Sequence, residues 1–392
     1  MHQDASAPDR AHYFWIDALR GGAAIIVLVS HVSLFGLYGY EHVLAKWPPT
    51  RLLWAGHQAV ILFFVISGFA LYLLFEQMAA AQGRWLKFIM VRFLRLYPPY
   101  LASLVLALLV LKAPALFGFA PSPGAPVIAN GHLTAGTLIG HLLMIGQFDV
   151  EAINPPIWTL VHEARLSLLF PLIYLAVAKG GRRTLAVLGG IWIAGICYTA
   201  ARDLDYLPEG PIPYAIRRTA DLSLMFFVGA VVAKYRFQIT RWMSTRRPSL
   251  LAALSGLAVF VFMYSFGYDW VEWTSDSVRH IAEDFTAAAS AFFVALAISM
   301  PAPSKRGVPE FFGKISYSLY LVHQVAIMAA VLLFYGKYAA PLMWVISIAA
   351  SVGLGWAFYL AIERPSKAAA RRVRLELRHD ATIKAWPAPP AP

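Results

Sequence analysis

Apolar runs of about twenty residues recur along this chain, and twenty is the number a helix needs to cross a bilayer. Such runs leave little choice of fold. In lipid every backbone N–H and C=O must be satisfied within the structure, which an α-helix does inside its own segment. The 392 residues are 59% hydrophobic and only 14% charged, too apolar to clothe a soluble domain of this size. The expected class is all-α, a polytopic membrane helical bundle. Ten spans are expected, at about 16–37, 57–75, 96–112, 156–178, 184–201, 219–234, 249–267, 281–299, 315–335 and 341–362. Thr137–Phe148 is apolar but too short to cross, and reads as one short re-entrant or lid-like helix. The chain thus divides into a polar lead (1–15), an integral-membrane domain (16–366) and a basic tail (367–392), disordered past about Lys384.

Charge sets the orientation. With the N-terminus in the cytoplasm, the segments 76–95, 179–183, 235–248, 300–314 and the tail are cytoplasmic, and these are the Lys/Arg-rich ones. The acidic segments 202–218 and 267–280 then lie outside. Counting Thr137–Phe148 as a full span would invert this pattern. Both termini are therefore expected in the cytoplasm. The net charge of +12 is loop charge of this kind rather than a nucleic-acid surface. The first fifteen residues are polar, and no small-residue cleavage site follows the first apolar run, so that run reads as a retained span. The single cysteine, Cys197, lies within a span and implies neither disulfide nor metal.

Ionisable residues inside spans are costly and mark functional sites. In the first span, Arg20 and His31 are eleven residues apart. Eleven helical residues turn through about 1100°, returning to within about 20° of the same face, and rise about 16 Å. Both side chains therefore line one face. Asp17 lies one turn before Arg20, and Gly21, Gly22, Ala23 and Ala24 form a small-residue collar suited to close helix approach. The bland alternative for His31 is a packed histidine bonded to a neighbouring helix. Arg92 and Arg95, one turn apart at the mouth of the third span, suit a phosphate or diphosphate, or equally serve as snorkelling anchors. Trp158, His162, Glu163 and Arg165 open the fourth span, and Glu163 pairs with Arg165 or with an arginine elsewhere. Ser316, Tyr320 and His323 or Gln324 form one polar stripe, either a hydrogen-bonded helix seam or a substrate path. His57, His132, His141 and His280, at span ends or in loops, read as structural. HExxH, GxSxG, a Gly-rich phosphate loop and a cysteine cluster are all absent from the sequence, and no metal site is expected.

Four stretches, in order, resemble the acyltransferase-3 family of bacterial integral-membrane O-acyltransferases. They are Asp17-Ala-Leu-Arg20-Gly-Gly with His31, Phe64-Val-Ile-Ser67-Gly-Phe69, Arg92-Phe-Leu-Arg95-Leu-Tyr-Pro98, and Trp158-Thr-Leu-Val-His-Glu163 leading to Phe170-Pro171. Ser316–His323 and Glu363-Arg-Pro365 also match, so the likeness covers residues 12–366. Many members carry an aromatic pair after the glutamate, where this chain has Ala164-Arg165.

The resemblance implies acyl transfer in the bacterial cytoplasmic membrane from a cytoplasmic acyl-CoA, usually acetyl-CoA, to a hydroxyl of a sugar, glycan or glycosylated small molecule. On that basis Arg20, Arg92 and Arg95 would bind the donor phosphates. His31 would act as general base, or form a short-lived acyl-imidazole. Glu163 would orient the imidazole or the acceptor hydroxyl, and Ser67 and Tyr320 would hold the thioester oxygen. Asp17, Trp158, Arg165 and His323 complete the substrate contacts. The expected partners are acyl-CoA, the acceptor and membrane lipids; a monomer and a dimer both fit. The rival reading is a non-enzymatic transporter or glycan exporter using the same buried polar residues, with ion-coupled flux and no affinity for CoA.

Overall fold

A computed structural model describes residues 14–36, 47–78, 83–125, 133–144, 148–201, 214–265, 276–305 and 307–385. Residues 1–13 of the polar lead and the acidic stretches 202–213 and 266–275 lie outside those residues. The described residues form helices and no strands. In order, these are α1 (Phe14–Gly36), α2 (Gly56–Gln77), α3 (Arg84–Phe117), α4 (Ala135–Leu143), α5 (Trp158–Lys179), α6 (Arg182–Ala201) and α7 (Tyr214–Lys234). There follow α8 (Arg236–Ser244), α9 (Pro248–Tyr264), α10 (Asp276–Ser299), α11 (Gly307–Phe334), α12 (Ala340–Phe358) and α13 (Arg364–Ala385). A π-helical turn, Tyr359–Glu363, joins the last two.

The all-α membrane bundle is observed. Among the described residues, seven helices are long and apolar enough to cross a bilayer, or eight if α7 and α8, bent by 67°, form one span, slightly fewer than the ten expected. Helix α6 coincides with the expected span at 184–201. Helix α9 has 17 residues, and the end of the expected span at 249–267 lies outside the described residues. The sixth span also begins earlier than expected, because α7 takes in Arg217 and Arg218.

Two glycine crossings set the helices that carry the polar residues. A Cβ on Gly21 would lie 2.7 Å from the backbone nitrogen of Gly313, so α1 and α11 touch backbone to backbone. Part of the expected collar is thus used, and it fixes Arg20 next door. Likewise a Cβ on Gly229 would meet the Val65 carbonyl at 2.0 Å, and one on Gly68 the Phe226 carbonyl at 2.2 Å. That contact locks α2 on α7 and fixes Ser67. Helices α1, α11 and α12 pack in sequence, with α1 also on α2.

Helix α3 is 34 residues long, about 51 Å at 1.5 Å per residue, and exceeds an apolar core of about 30 Å. Its first turn carries Arg84 and Lys87 at the end where the basic loops lie, with the Arg84 guanidinium 4.6 Å from the centre of the Phe75 ring. Pro98 has no N–H to return to the Leu94 carbonyl. Ser366 Oγ donates to that carbonyl instead, docking α13 on α3. The residues beyond 366, expected as a tail, are helical through Ala385. Lys234 donates to the carbonyls of Val177, Ala178 and Gly180 at 2.7, 3.3 and 2.5 Å, satisfying the C-terminus of α5.

The short helix α4 replaces the expected Thr137–Phe148. It starts two residues earlier because Thr134 caps it, accepting from the Thr137 N–H at 3.0 Å. It ends at Met144, in the left-handed conformation with φ 54°. Tyr97 donates to the Leu142 carbonyl at 2.6 Å. Tyr100 lies 2.9 Å from His141 Nδ1. Burial pushes the His141 imidazole below its ordinary value.

Candidate active site

One cavity gathers six of the residues singled out from sequence: Arg20, Ser67, Arg92, Arg95, Glu163 and Tyr320. They come from α1, α2, α3, α5 and α11, and the space measures about 710 Å³ including its open mouth. Phe63, Phe64, Leu96, Leu160 and Tyr317 supply much of its apolar wall. Tyr317 donates to the Leu96 carbonyl at 3.1 Å.

Glu163 takes its partner from another helix. Arg92 donates to Glu163 Oε1 at 2.6 Å, and Ser67 donates to the same oxygen at 3.2 Å. Arg92 Nε reaches Ser167 Oγ at 3.2 Å, and Ser167 donates in turn to the Glu163 carbonyl at 2.8 Å. Arg165 faces elsewhere, donating to the Met144 carbonyl at 3.0 Å and so tying α4 to α5. Two residues along a helix turn the side chain by about 200°, which separates Arg165 from Glu163. The Tyr320 hydroxyl lies 3.0 Å from the Pro156 carbonyl and 2.8 Å from Thr159 Oγ1, which is itself 3.1 Å from that carbonyl.

The charge in this region is unbalanced. Arg95 feels Arg20 and Arg92 as well as Glu163 and Glu363. Lys367, on α13, feels Glu363, Arg95 and Arg20 and lies 2.5 Å from Glu363 Oε1. Ser318 holds the other Glu363 oxygen through its N–H at 3.1 Å and through its hydroxyl. Four cations therefore share two carboxylates. Among the described residues neither Arg20 nor Arg95 forms an ion pair. A surplus of this kind in a partly enclosed space favours an anion carrying more than one charge. Lys367 and Glu363 were given no role from sequence. The signal was present in the i, i+4 spacing of two opposite charges at the end of an apolar run.

His31 does not line the cavity. It lies about 16 Å further along α1 than Arg20, and its ring is 5.0 Å from that of His323. The link between cavity and histidines is Tyr320, whose ring is 5.6 Å from Phe63 and 5.9 Å from His323. His31 Nδ1 is 2.9 Å from the Val27 carbonyl. A carbonyl only accepts, so Nδ1 carries the hydrogen and Nε2 is the basic nitrogen of the neutral ring. Such a nitrogen can take a proton from a hydroxyl or attack a carbonyl carbon.

The remaining sequence candidates lie apart. Asp17 is exposed, and its backbone packs on Gly313. Trp158 meets His162 edge to face at 5.8 Å, and the Arg218 guanidinium lies 5.8 Å from its ring centre. That arginine belongs to a second buried cluster at the end of the bundle away from the basic loops. Arg218 holds both Glu283 oxygens, at 2.7 and 2.5 Å, and His57 Nε2 lies 2.7 Å from Oε1. Sequence reasoning missed this cluster. Its members are far apart in the chain, and no spacing rule connects them.

With this geometry in place, comparison with protein families matches residues 13–360 to the family model described as an acyltransferase domain, acyltransferase-3. Comparison with curated proteins and with solved structures returned no match.

Proposed function

We propose, from the premise that this chain belongs to the acyltransferase-3 family and is a membrane acyltransferase, that it moves an acetyl group from acyl-CoA to a hydroxyl of a sugar, glycan or glycosylated small molecule. The observation that carries this reading is the cavity in which three arginines, Arg20, Arg92 and Arg95, meet one carboxylate, Glu163. Coenzyme A brings a diphosphate and a further phosphate, which suit that surplus, and a long flexible arm that ends in the thioester. The basic end of the bundle then faces the cytoplasm, the source of acyl-CoA, in a bacterial cytoplasmic membrane. Arg20, Arg95 and Arg92 hold the phosphates, and the arm runs past Phe63 and Tyr320 toward His31. His31 Nε2 takes the proton of the acceptor hydroxyl as its oxygen attacks the thioester carbonyl. The C–O bond forms, the C–S bond breaks, and the thiolate leaves with a proton returned from the imidazolium. Glu163, bonded to Arg92 and Ser67, tunes the donor end of the path.

The test is acetyl-CoA binding to purified protein in detergent, comparing wild type with the Arg92→Ala/Arg95→Ala double variant and with His31→Ala. Micromolar binding lost in the double variant and kept in His31→Ala, with CoA release abolished in the latter, is the expected result. A well-folded wild type without affinity for acetyl-CoA would overturn the reading and favour the transporter.

A further inference from the structure

We propose that His323 is a positioning residue for His31: it fixes the ring in the tautomer that leaves Nε2 basic, and steadies the imidazolium formed when Nε2 takes a proton. This rests on the reading of His31 as general base.

His323 Nδ1 lies 2.8 Å from the Tyr320 carbonyl and 3.1 Å from the Leu319 carbonyl. Both oxygens only accept, so Nδ1 donates and carries the hydrogen. The neutral His323 ring then has a bare Nε2, and that atom is 3.3 Å from His31 Nδ1. His31 Nδ1 also faces the Val27 carbonyl at 2.9 Å. One hydrogen on His31 Nδ1 serves both acceptors, and neither acceptor can be served if that hydrogen moves to Nε2. Two independent groups thus demand the same tautomer. His323 is itself 1% exposed and held by two backbone carbonyls, and Ser351 donates to its own carbonyl at 3.3 Å. The acceptor is fixed, and His31 is half-buried.

Protonation of His31 strengthens the contact. The Nδ1–H of an imidazolium is a charged donor, and hydrogen bonds from charged donors are about twice as strong as neutral ones. His323 Nε2 therefore binds the protonated ring more tightly than the neutral one, which favours proton transfer. This is the arrangement of nucleophile or base oriented by a third group, with an imidazole as the orienting group.

The experiment compares wild type, His31→Ala, His323→Ala and His323→Gln, using full-length protein in detergent. Gln supplies an amide oxygen that can accept in place of Nε2. CoA release from acetyl-CoA is followed with water and with methyl glycosides as acceptors, and acetyl-CoA affinity is measured alongside. Ring nitrogen shifts of 15N-histidine-labelled protein report the His31 tautomer whether or not turnover is seen. His323→Ala is expected to lower kcat by about 10- to 100-fold with the donor KM within about twofold, because the cation cavity is untouched. His323→Gln should recover part of the loss. The His31 shifts should show an Nδ1–H ring in wild type and a mixture in His323→Ala. A wild-type His31 with hydrogen on Nε2 would overturn the proposal, as would an unchanged tautomer or unchanged kcat in His323→Ala. Full activity in His31→Ala would instead overturn the general-base reading on which it rests.

Discussion

The two buried charged clusters of this bundle use the same residue types for opposite ends. In the cluster away from the basic loops, Arg218 grips Glu283 with both arms of the guanidinium, and His57 joins from a third helix. The side chains of Arg218 and Glu283 are 7% and 2% exposed. The pair is balanced, and it clamps α2, α7 and α10 together. In the cavity, Arg92 spends one nitrogen on Glu163, while Arg20 and Arg95 stay without an ion pair among the described residues. A matched buried pair resists change, because losing one partner strands a charge. A surplus of cations in an accessible space is matched only when an anion arrives. The first cluster therefore acts as a clamp, and on the proposed function the second acts as a receptor.

The largest effect is expected at the clamp. Glu283→Ala removes the carboxylate that both arms of the Arg218 guanidinium hold, and breaking a buried ion pair by removing one partner costs about 3–5 kcal/mol. Thermal unfolding in detergent should show a large fall in Tm, or no folded protein at all. Replacing both partners by apolar side chains, Arg218→Met with Glu283→Leu, should recover much of the loss, since the stranded charge is gone. A Glu283→Ala variant as stable as wild type would show that the clamp contributes nothing.

Arg95→Ala should behave in the opposite way. It removes a charged donor from the cavity and breaks no ion pair. Acetyl-CoA affinity should fall by about 10- to 100-fold, the range for a hydrogen bond to a charged group, with Tm unchanged. Calorimetric binding and thermal unfolding on the same sample separate the two outcomes. A fall in Tm with affinity intact would place Arg95 with Arg218 as a structural group.

Glu163→Gln tests the surplus from the other side. The amide still accepts from Arg92 but no longer neutralises it, so the net positive charge of the cavity rises by one. Donor affinity should improve by about fivefold, a modest gain because the site is partly open to water and its effective dielectric is high. Weaker binding would mean that the carboxylate helps to hold the donor rather than competing with its phosphates.

The difference between the clusters also explains how much could be read from sequence. Arg20, Arg92 and Arg95 stand at helical spacings in apolar surroundings, and such local periodicity is visible in a linear string. The eleven-residue step that puts Arg20 and His31 on one face works the same way. Gly21 was legible as a close-approach residue, though not that Gly313 would meet it. The partner of Glu163 was not legible, because choosing Arg92 over Arg165 depends on how α3 and α5 are rotated against each other. The clamp was invisible: Arg218 stands in the segment before the expected sixth span, and its partner Glu283 is 65 residues on. The same holds for His31 and His323, 292 residues apart. Helix α4 was visible as an apolar stretch, but neither of its ends was: it starts after the Thr134 cap at Ala135, two residues before the expected Thr137, and it stops at Met144, whose carbonyl Arg165 holds.

Ionic strength gives the smallest effect and changes no residue. Salt screens charges that water can reach, with a screening length of about 10 Å at 0.1 M and about 3 Å at 1 M. Arg20 and Arg95 are only partly buried, so the attraction between the empty cavity and an incoming polyanion is open to screening. The clamp is closed to ions, and its partners are in direct contact. Raising sodium chloride from 0.05 to 0.5 M should therefore weaken acetyl-CoA binding by about threefold while Tm holds steady. The Arg95→Ala variant should show a shallower salt dependence than wild type, because one of the screened charges has been removed. Equal slopes in wild type and variant would mean that Arg95 contacts the donor through geometry alone. A Tm that fell together with affinity would mean that water and ions reach Arg218 and Glu283, and the contrast between clamp and receptor would fail.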